Sequence, residues 1–133
     1  MKFTDLTLIS TAIFTALMAG FFFSYSVSVS LGLGKLGNKE FLNAMRNINR
    51  EVQNPLFFIC FFGSLIMLCF STFYYKSNTF FSFLLCAFLI YTIGVFLVTI
   101  LVNVPLNNKL DNFDLANATE ITITQMRNTF ENR

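Results

Sequence analysis

Three long stretches of the chain carry no charged residue: Leu6 to Gly34, Val52 to Tyr75 and Ser77 to Asn108. Charge and amide side chains collect in the short segments between and after them. Each stretch exceeds the ~20 apolar residues that an α-helix needs to cross a ~30 Å hydrocarbon layer, so the pattern predicts three spans, over about 6–33, 55–75 and 79–104. In lipid every backbone polar group needs a partner within the protein, and a closed barrel would need many short alternating strands that this chain lacks. The expected fold is therefore all-α: an integral membrane helical bundle of three spans forming one domain over 1–133. A cleaved signal peptide fits less well. Lys2 and the small residues around Met18-Ala19-Gly20 suggest one, but the apolar run continues through Phe21, Phe22, Phe23 and Tyr25 to Leu33, well beyond a ~7–15-residue signal core.

The segments between the spans have patterns of their own. Gly32-Leu33-Gly34-Lys35-Leu36-Gly37 has the spacing of a dinucleotide-binding turn, but it follows a membrane helix with no βαβ context and reads as a flexible exit turn. Asn38 is placed to cap a helix over about 39–53. There Phe41, Met45, Ile48 and Val52 form one apolar stripe opposite Asn43, Arg46, Asn47 and Arg50, with Asn49 at the boundary. That amphipathic interfacial helix would lie on the headgroups or close over the bundle as a lid. Asn54-Pro55 opens the second span, because the Asn side chain caps and Pro suits the first helical position. The short Lys76-Ser77 connection makes spans two and three an antiparallel hairpin, with Asn78 capping the third.

Two polar runs interrupt the apolar windows. Ser24, Ser26, Ser28 and Ser30 alternate with Tyr25, Val27 and Val29, a strand-like period that still reads as helix in lipid. On a helix Ser24 and Ser28 share a face, either to admit a neighbouring helix closely or to line a polar pocket. Near the end of span three comes Asn103-Val104-Pro105-Leu106-Asn107-Asn108. Asn103 and Asn107 fall on one face at i, i+4, while Pro105 is a signal to end or kink the helix. Beyond it, 109–133 is polar, and Ile123, Met126 and Phe130 mark a short surface helix.

Composition sharpens this picture. Apolar residues make up 55% and charged residues 12%, roughly half the charge of an ordinary soluble domain. The net charge of +2 argues against a nucleic-acid partner. With no His and no Trp, the usual general base and the commonest metal ligand are missing. Cys60, Cys69 and Cys86 all lie in apolar windows and read as buried small residues, not as a metal site, a disulfide framework or a redox pair. Lys2 and Lys76 stand on one side of the spans, and Lys35, Lys39, Arg46, Arg50 and Lys109 on the other. The positive-inside rule then puts the N-terminus outside, in a multi-pass protein of the plasma or inner membrane.

Two motifs carry a family resemblance: Ala44-Met45-Arg46-Asn47-Ile48-Asn49 followed by Asn54-Pro55, and Asn103-Val104-Pro105-Leu106-Asn107-Asn108-Lys109-Leu110. In this order, after a long first helix and after the third, they resemble the anthrone oxygenase-like small membrane proteins, long carried as a domain of unknown function. The resemblance covers about residues 10–133. It implies a four-helix membrane protein whose characterised members insert oxygen into anthrones, giving anthraquinones without an evident metal or organic cofactor. The family pattern usually continues with a tryptophan, a further Asn and Arg, and a fourth span, whereas this sequence stops at Asn132-Arg133; the fourth span is expected to be missing or truncated.

Together these features imply a membrane-embedded pocket for a flat apolar molecule, the hydrophobic small-molecule partner of a chain that otherwise contacts the bilayer. Phe21, Phe61, Phe62 and Phe81 are candidate walls, with Ser24 and Ser28 as polar lining. An anthrone enolate can react directly with O₂, so the protein would need only to favour deprotonation and stabilise the oxyanion. Arg46 is the candidate charge, and Asn49, Asn103 and Asn107 are the candidate donors. Glu51 is the nearest candidate base, and only if burial raised its pKa. The competing reading is a noncatalytic subunit or scaffold, homo-oligomeric or joined to other membrane subunits, in which Gly20, Gly63 and Gly94 mark close helix contacts. A transporter is the weaker third reading, since no intramembrane charge marks an ion path.

Overall fold

The computed structural model describes residues 3–131, so Lys2 and the Asn132-Arg133 end lie outside the described residues. The described residues form five helices and no strand. Helix α1 is α-helical over Phe3–Ser24, widens to π turns over Tyr25–Val29 and closes with Ser30–Leu33. Helix α2 is Asn38–Val52 and α3 is Pro55–Tyr74. Helix α4 covers Phe81–Asp111, with π turns over Ile90–Leu97 and Thr99–Asn103, and α5 is Glu120–Glu131. Asp5–Leu33, Pro55–Tyr74 and Phe81–Asp111 are each long and apolar enough to cross a bilayer. The serine run is helical, as its setting in lipid predicts.

Helix α3 occupies the middle, with α1 along one side and α4 folded back along the other. Apolar area drives little of this association, because lipid is as apolar as leucine; close approach and hydroxyl bonds do more. Thr7, Thr11, Ser64, Ser71 and Thr72 are buried, and Thr11 Oγ1 shares a 2.8 Å hydrogen bond with Ser71 Oγ across α1 and α3. The Tyr91 hydroxyl donates to the Phe61 carbonyl at 2.8 Å and ties α4 to α3. Around it, Met18, Phe61, Leu68 and Tyr91 form the intramembrane core. Large side chains on the outer faces, such as Phe73 and Phe83 at 75% and 77% exposure, face the hydrocarbon. Cys69 and Cys86 are also exposed and only Cys60 is half-buried; the expected burial of all three gives way to lipid-facing positions, where a thiol costs nothing.

A second core sits at one end of the bundle. Leu33 at the end of α1, Phe41 and Leu42 of α2, and Leu110 at the end of α4 meet Leu115 and the predicted α5 stripe, Ile123, Met126 and Phe130. Helix α2 is thus held by the bundle end on one side and by α5 on the other.

Three local expectations are corrected. Asn38 does not cap α2; Gly37 holds that position without a side-chain bond, and Asn38 Nδ2 donates to Thr124 Oγ1 at 2.9 Å instead. Asn78 sits in the turn before α4, whose helix starts at Phe81. Pro105 does not end the third span, which runs on to Asp111. The Val104 N–H donates to the Thr99 carbonyl five residues back, and this wider turn gives the proline ring room where an α turn would press it on the Leu101 carbonyl. Asn54 meets expectation: its Oδ1 accepts from the Phe57 N–H at 3.0 Å.

Of the three glycines expected at close contacts, only Gly63 is at one. A Cβ there would lie 3.3 Å from the Phe14 ring, whereas Gly20 and Gly94 face open space. Gly63→Leu should therefore lower stability by about 1–3 kcal/mol through overpacking, read from thermal unfolding in detergent, and Gly20→Leu should leave the transition in place. Equal effects would contradict the α1–α3 packing.

Candidate functional site

The apolar stripe of α2 does not lie flat on a membrane surface. Phe41, Met45, Ile48 and Val52 line a cavity of about 520 Å³ between α2, the upper part of α1 and the end of α4. Helix α1 brings Phe21, Phe22 and Tyr25 to it, α3 brings Phe57, and α5 closes it with Phe130 and Glu131. The Tyr25 hydroxyl donates to Met45 Sδ at 3.0 Å, fixing α2 against α1.

Three amides enter this aromatic enclosure. Asn103 and Asn107 come from adjacent turns of α4, and Asn49 comes from the edge of the α2 stripe. All three are half-buried. Asn49 Nδ2 is buried without a hydrogen-bond partner, which costs about 1–3 kcal/mol unless a ligand completes it. Thr99, one turn before Asn103, also lines the space. Residues from the two motifs, more than fifty positions apart in sequence, thus converge on one cavity.

Behind the amides lies a smaller polar cavity of about 220 Å³, lined by Arg46, Arg50 and Asp111, with Asn49 and Asn107 forming the wall between the two spaces. Arg46 does not line the larger cavity. Its Nε and Nη2 donate to the Leu110 carbonyl at 3.2 and 2.8 Å, and Nη2 also reaches the Phe113 carbonyl. It adds charge-assisted bonds to two carbonyls at the end of α4 that also accept from the Phe113 and Leu115 N–H groups. Arg50 pairs with Asp111 at 2.7 Å on the exposed surface, a contact worth little on its own.

The remaining sequence candidates stand apart from the amides. Phe61 fills the core between α3 and α4, stacked on Phe96 with ring centres 5.2 Å apart. Phe62 is exposed on the outer face, as are Ser24 and Ser28, and none of them lines the aromatic cavity. The π turns over Tyr25–Val29 rotate the next turn of α1, and Ser30 is the member of the serine run that reaches the space. Glu51 is exposed and borders a separate apolar groove beside Phe21 and Phe57. Sequence reasoning alone misses Tyr25, Phe57, Phe130 and Glu131 as pocket residues; the signals for two of them are Phe57's place three residues after the Asn54 cap and Phe130's place on the α5 stripe. Among the described residues no group of His, Cys, Asp and Glu is gathered as metal ligands would be.

The connector after α4 is ordered by Asp114. Its carboxylate accepts from the Asn117 side chain at 2.8 Å and from the Asn117 and Ala116 backbone N–H groups. These bonds, with a smaller contribution from Arg46, hold its pKa below the usual carboxylate value. A depressed folded-state pKa stabilises above the unfolded value and is lost as pH falls through the folded one. The protection of the Ala116 and Asn117 amides, measured as exchange relative to the intrinsic rate at each pH, should accordingly stay constant at neutral pH and fall as Asp114 is protonated below about pH 4; unchanged protection on acidification would refute the carboxylate's role. Arg46→Met should cost about 1.5–3 kcal/mol, the value of charge-assisted bonds to carbonyls, with increased proteolysis of the connector as its local signature.

The sequence model of the anthrone oxygenase family matches residues 42–130. The match begins inside α2 and extends into α5, so it includes Asn49, Asn103 and Asn107 but not the first span. No curated protein and no solved structure matches the chain. The matched stretch is well over half of the sequence and contains the three amides of the cavity: the chain belongs to the anthrone oxygenase family.

Proposed function

We propose that the amide cavity binds a flat, apolar, oxygenated aromatic molecule and that the protein oxygenates it in the manner of an anthrone oxygenase. One observation carries this reading: three amides from distant parts of the chain converge on an aromatic-walled cavity of about 520 Å³, and the side-chain N–H of one, Asn49, has no partner within the protein. The volume lies within the ~300–1,000 Å³ range of small-molecule sites.

The chemistry asked of the protein is modest. Loss of a proton from the ring methylene of an anthrone gives an enolate. That carbon adds O₂ to form a hydroperoxide, which loses water to leave the anthraquinone carbonyl. The developing oxyanion is the atom to stabilise, and donors fixed in advance in a water-poor site do this most effectively. Asn49 Nδ2 is the leading donor, with Asn103 and Asn107 beside it. Glu131 is the carboxylate on the cavity wall and the group placed to take the proton. Arg46 acts from behind, holding α2 to the end of α4 so that the amides stay in register. The basic residues of α2 and its flanks favour the cytoplasmic side of a plasma or inner membrane for this end of the protein.

Oxygen uptake by the detergent-solubilised full chain, given a series of anthrones, tests the reading. Asn49→Ala should lower kcat by about 10²–10³, the usual loss of one oxyanion donor, while the thermal unfolding temperature of the ligand-free protein holds or rises. Phe83→Leu, on the lipid-facing surface, should retain full activity. A folded protein that takes up no oxygen with any anthrone would instead support a noncatalytic membrane subunit.

A further inference from the structure

A second cavity, of about 680 Å³, lies between α1 and α4 on the bilayer side of the amides. Its walls are small and apolar: Met18 and Ala19 on α1, Ala87, Gly94 and Val98 on α4, and Leu68 at its base on α3. The Thr15 hydroxyl at its far end is already satisfied, donating to the Thr11 carbonyl at 2.7 Å. Phe22, Thr99 and Asn103 line both this space and the amide cavity, so the two adjoin at these residues. One compartment is aromatic and amide-lined. The other is mostly apolar, with Thr15, Tyr91, Thr99 and Asn103 as its polar members, within segments long and apolar enough to cross a membrane.

We propose that the ligand is an amphiphile with two parts: an aromatic, oxygen-bearing ring in the amide cavity, and a single flexible apolar tail lying in the groove between α1 and α4. This rests on the preceding reading of the amide cavity and specifies its substrate class. Either space alone falls in the ~300–1,000 Å³ range of one small-molecule site, so a bare tricyclic ring fills the first and leaves the second empty. An ordinary phospholipid fits poorly. Neither cavity is lined by Lys or Arg, and Glu131, which lines the amide cavity, is already paired with Arg127, so no free cation among the described residues faces a phosphate there. Amides suit a neutral head with hydroxyl or carbonyl oxygens.

Gly94 provides the test. A Cβ there meets nothing within 4 Å, so Gly94→Leu fills the groove without disturbing a neighbour and replaces a poor helix former. The probes are dithranol and dithranol carrying a decyl chain that ends in a photoreactive diazirine. Both are titrated under nitrogen into the wild type and the variant at equal detergent, so that partition into micelles cancels. The tailed probe should bind the wild type more tightly, and Gly94→Leu should cut its affinity relative to dithranol's by about tenfold, the cost of two displaced methylenes. Irradiation should label the Thr15–Phe22 part of α1 and the Ala87–Thr99 part of α4. An unchanged affinity ratio in the variant, or labelling spread evenly over the outer faces as with a diazirine-bearing phospholipid, would overturn the tail assignment while leaving dithranol binding intact. Failure of both probes to bind a folded protein would overturn the amide-cavity reading and this inference with it.

Discussion

The end of the bundle is held by carbonyl oxygens that its helices cannot satisfy themselves. Each helix leaves its last carbonyls without partners, and near a bilayer there is little water to take them. Two arginines do so. Arg46 collects the Leu110 and Phe113 carbonyls where α4 ends. Arg127 of α5 donates to the Gly34 carbonyl at 2.9 Å and the Leu36 carbonyl at 2.6 Å where α1 ends. Arg127 also pairs with Glu131 at 2.8 Å and lies 4.7 Å over the Phe41 ring. With these contacts α2 and α5 form a cap on the spans, and the cavity lies beneath that cap.

This explains why the arginines nearest the site do not line it. A guanidinium that donates to two carbonyls is oriented and desolvated in that role. Moving it to a substrate would give up those charge-assisted bonds, at a cost similar to the gain. The amides carry no such obligation: an Asn side chain brings two donors and an acceptor without a charge to neutralise. The division proposed here, arginines for architecture and asparagines for a ligand, is consistent with the chemistry of each side chain at this depth.

Much of this was legible in the sequence, for specific reasons. The three uncharged windows set the spans, because lipid permits little besides helix. Asn103 and Asn107 at i, i+4 shared a face, and the Phe41, Met45, Ile48, Val52 stripe marked the side of α2 that would be buried. That the stripe would face a cavity instead of headgroups depended on α5, whose docking rests on Arg127 reaching two backbone carbonyls, and backbone acceptors leave no trace in sequence. The outward placement of Ser24 and Ser28 and the continuation through Pro105 both depend on π turns, which shift the helical phase by one residue without a composition of their own. Gly94 and Gly63 look alike in sequence, yet only the path of the neighbouring helix decides which has Phe14 against it.

The position of the site along the membrane normal links the structure to the chemistry proposed for it. Asn49, Asn103 and Asn107 lie where apolar spans give way to the polar cap, with Phe22 and Phe57 on the hydrocarbon side and Arg46 on the other. Deeper in the spans, a charge developing on a substrate oxygen would have no donor to meet. Nearer the solvent, water would compete for the same oxygen and weaken each amide's contribution. At the boundary the donors are already oriented and the surroundings are poor in water, so stabilising a transient oxyanion requires little reorganisation. An apolar substrate can reach this level from the bilayer itself, through the opening between α1 and α4, without crossing an aqueous phase in which it barely dissolves.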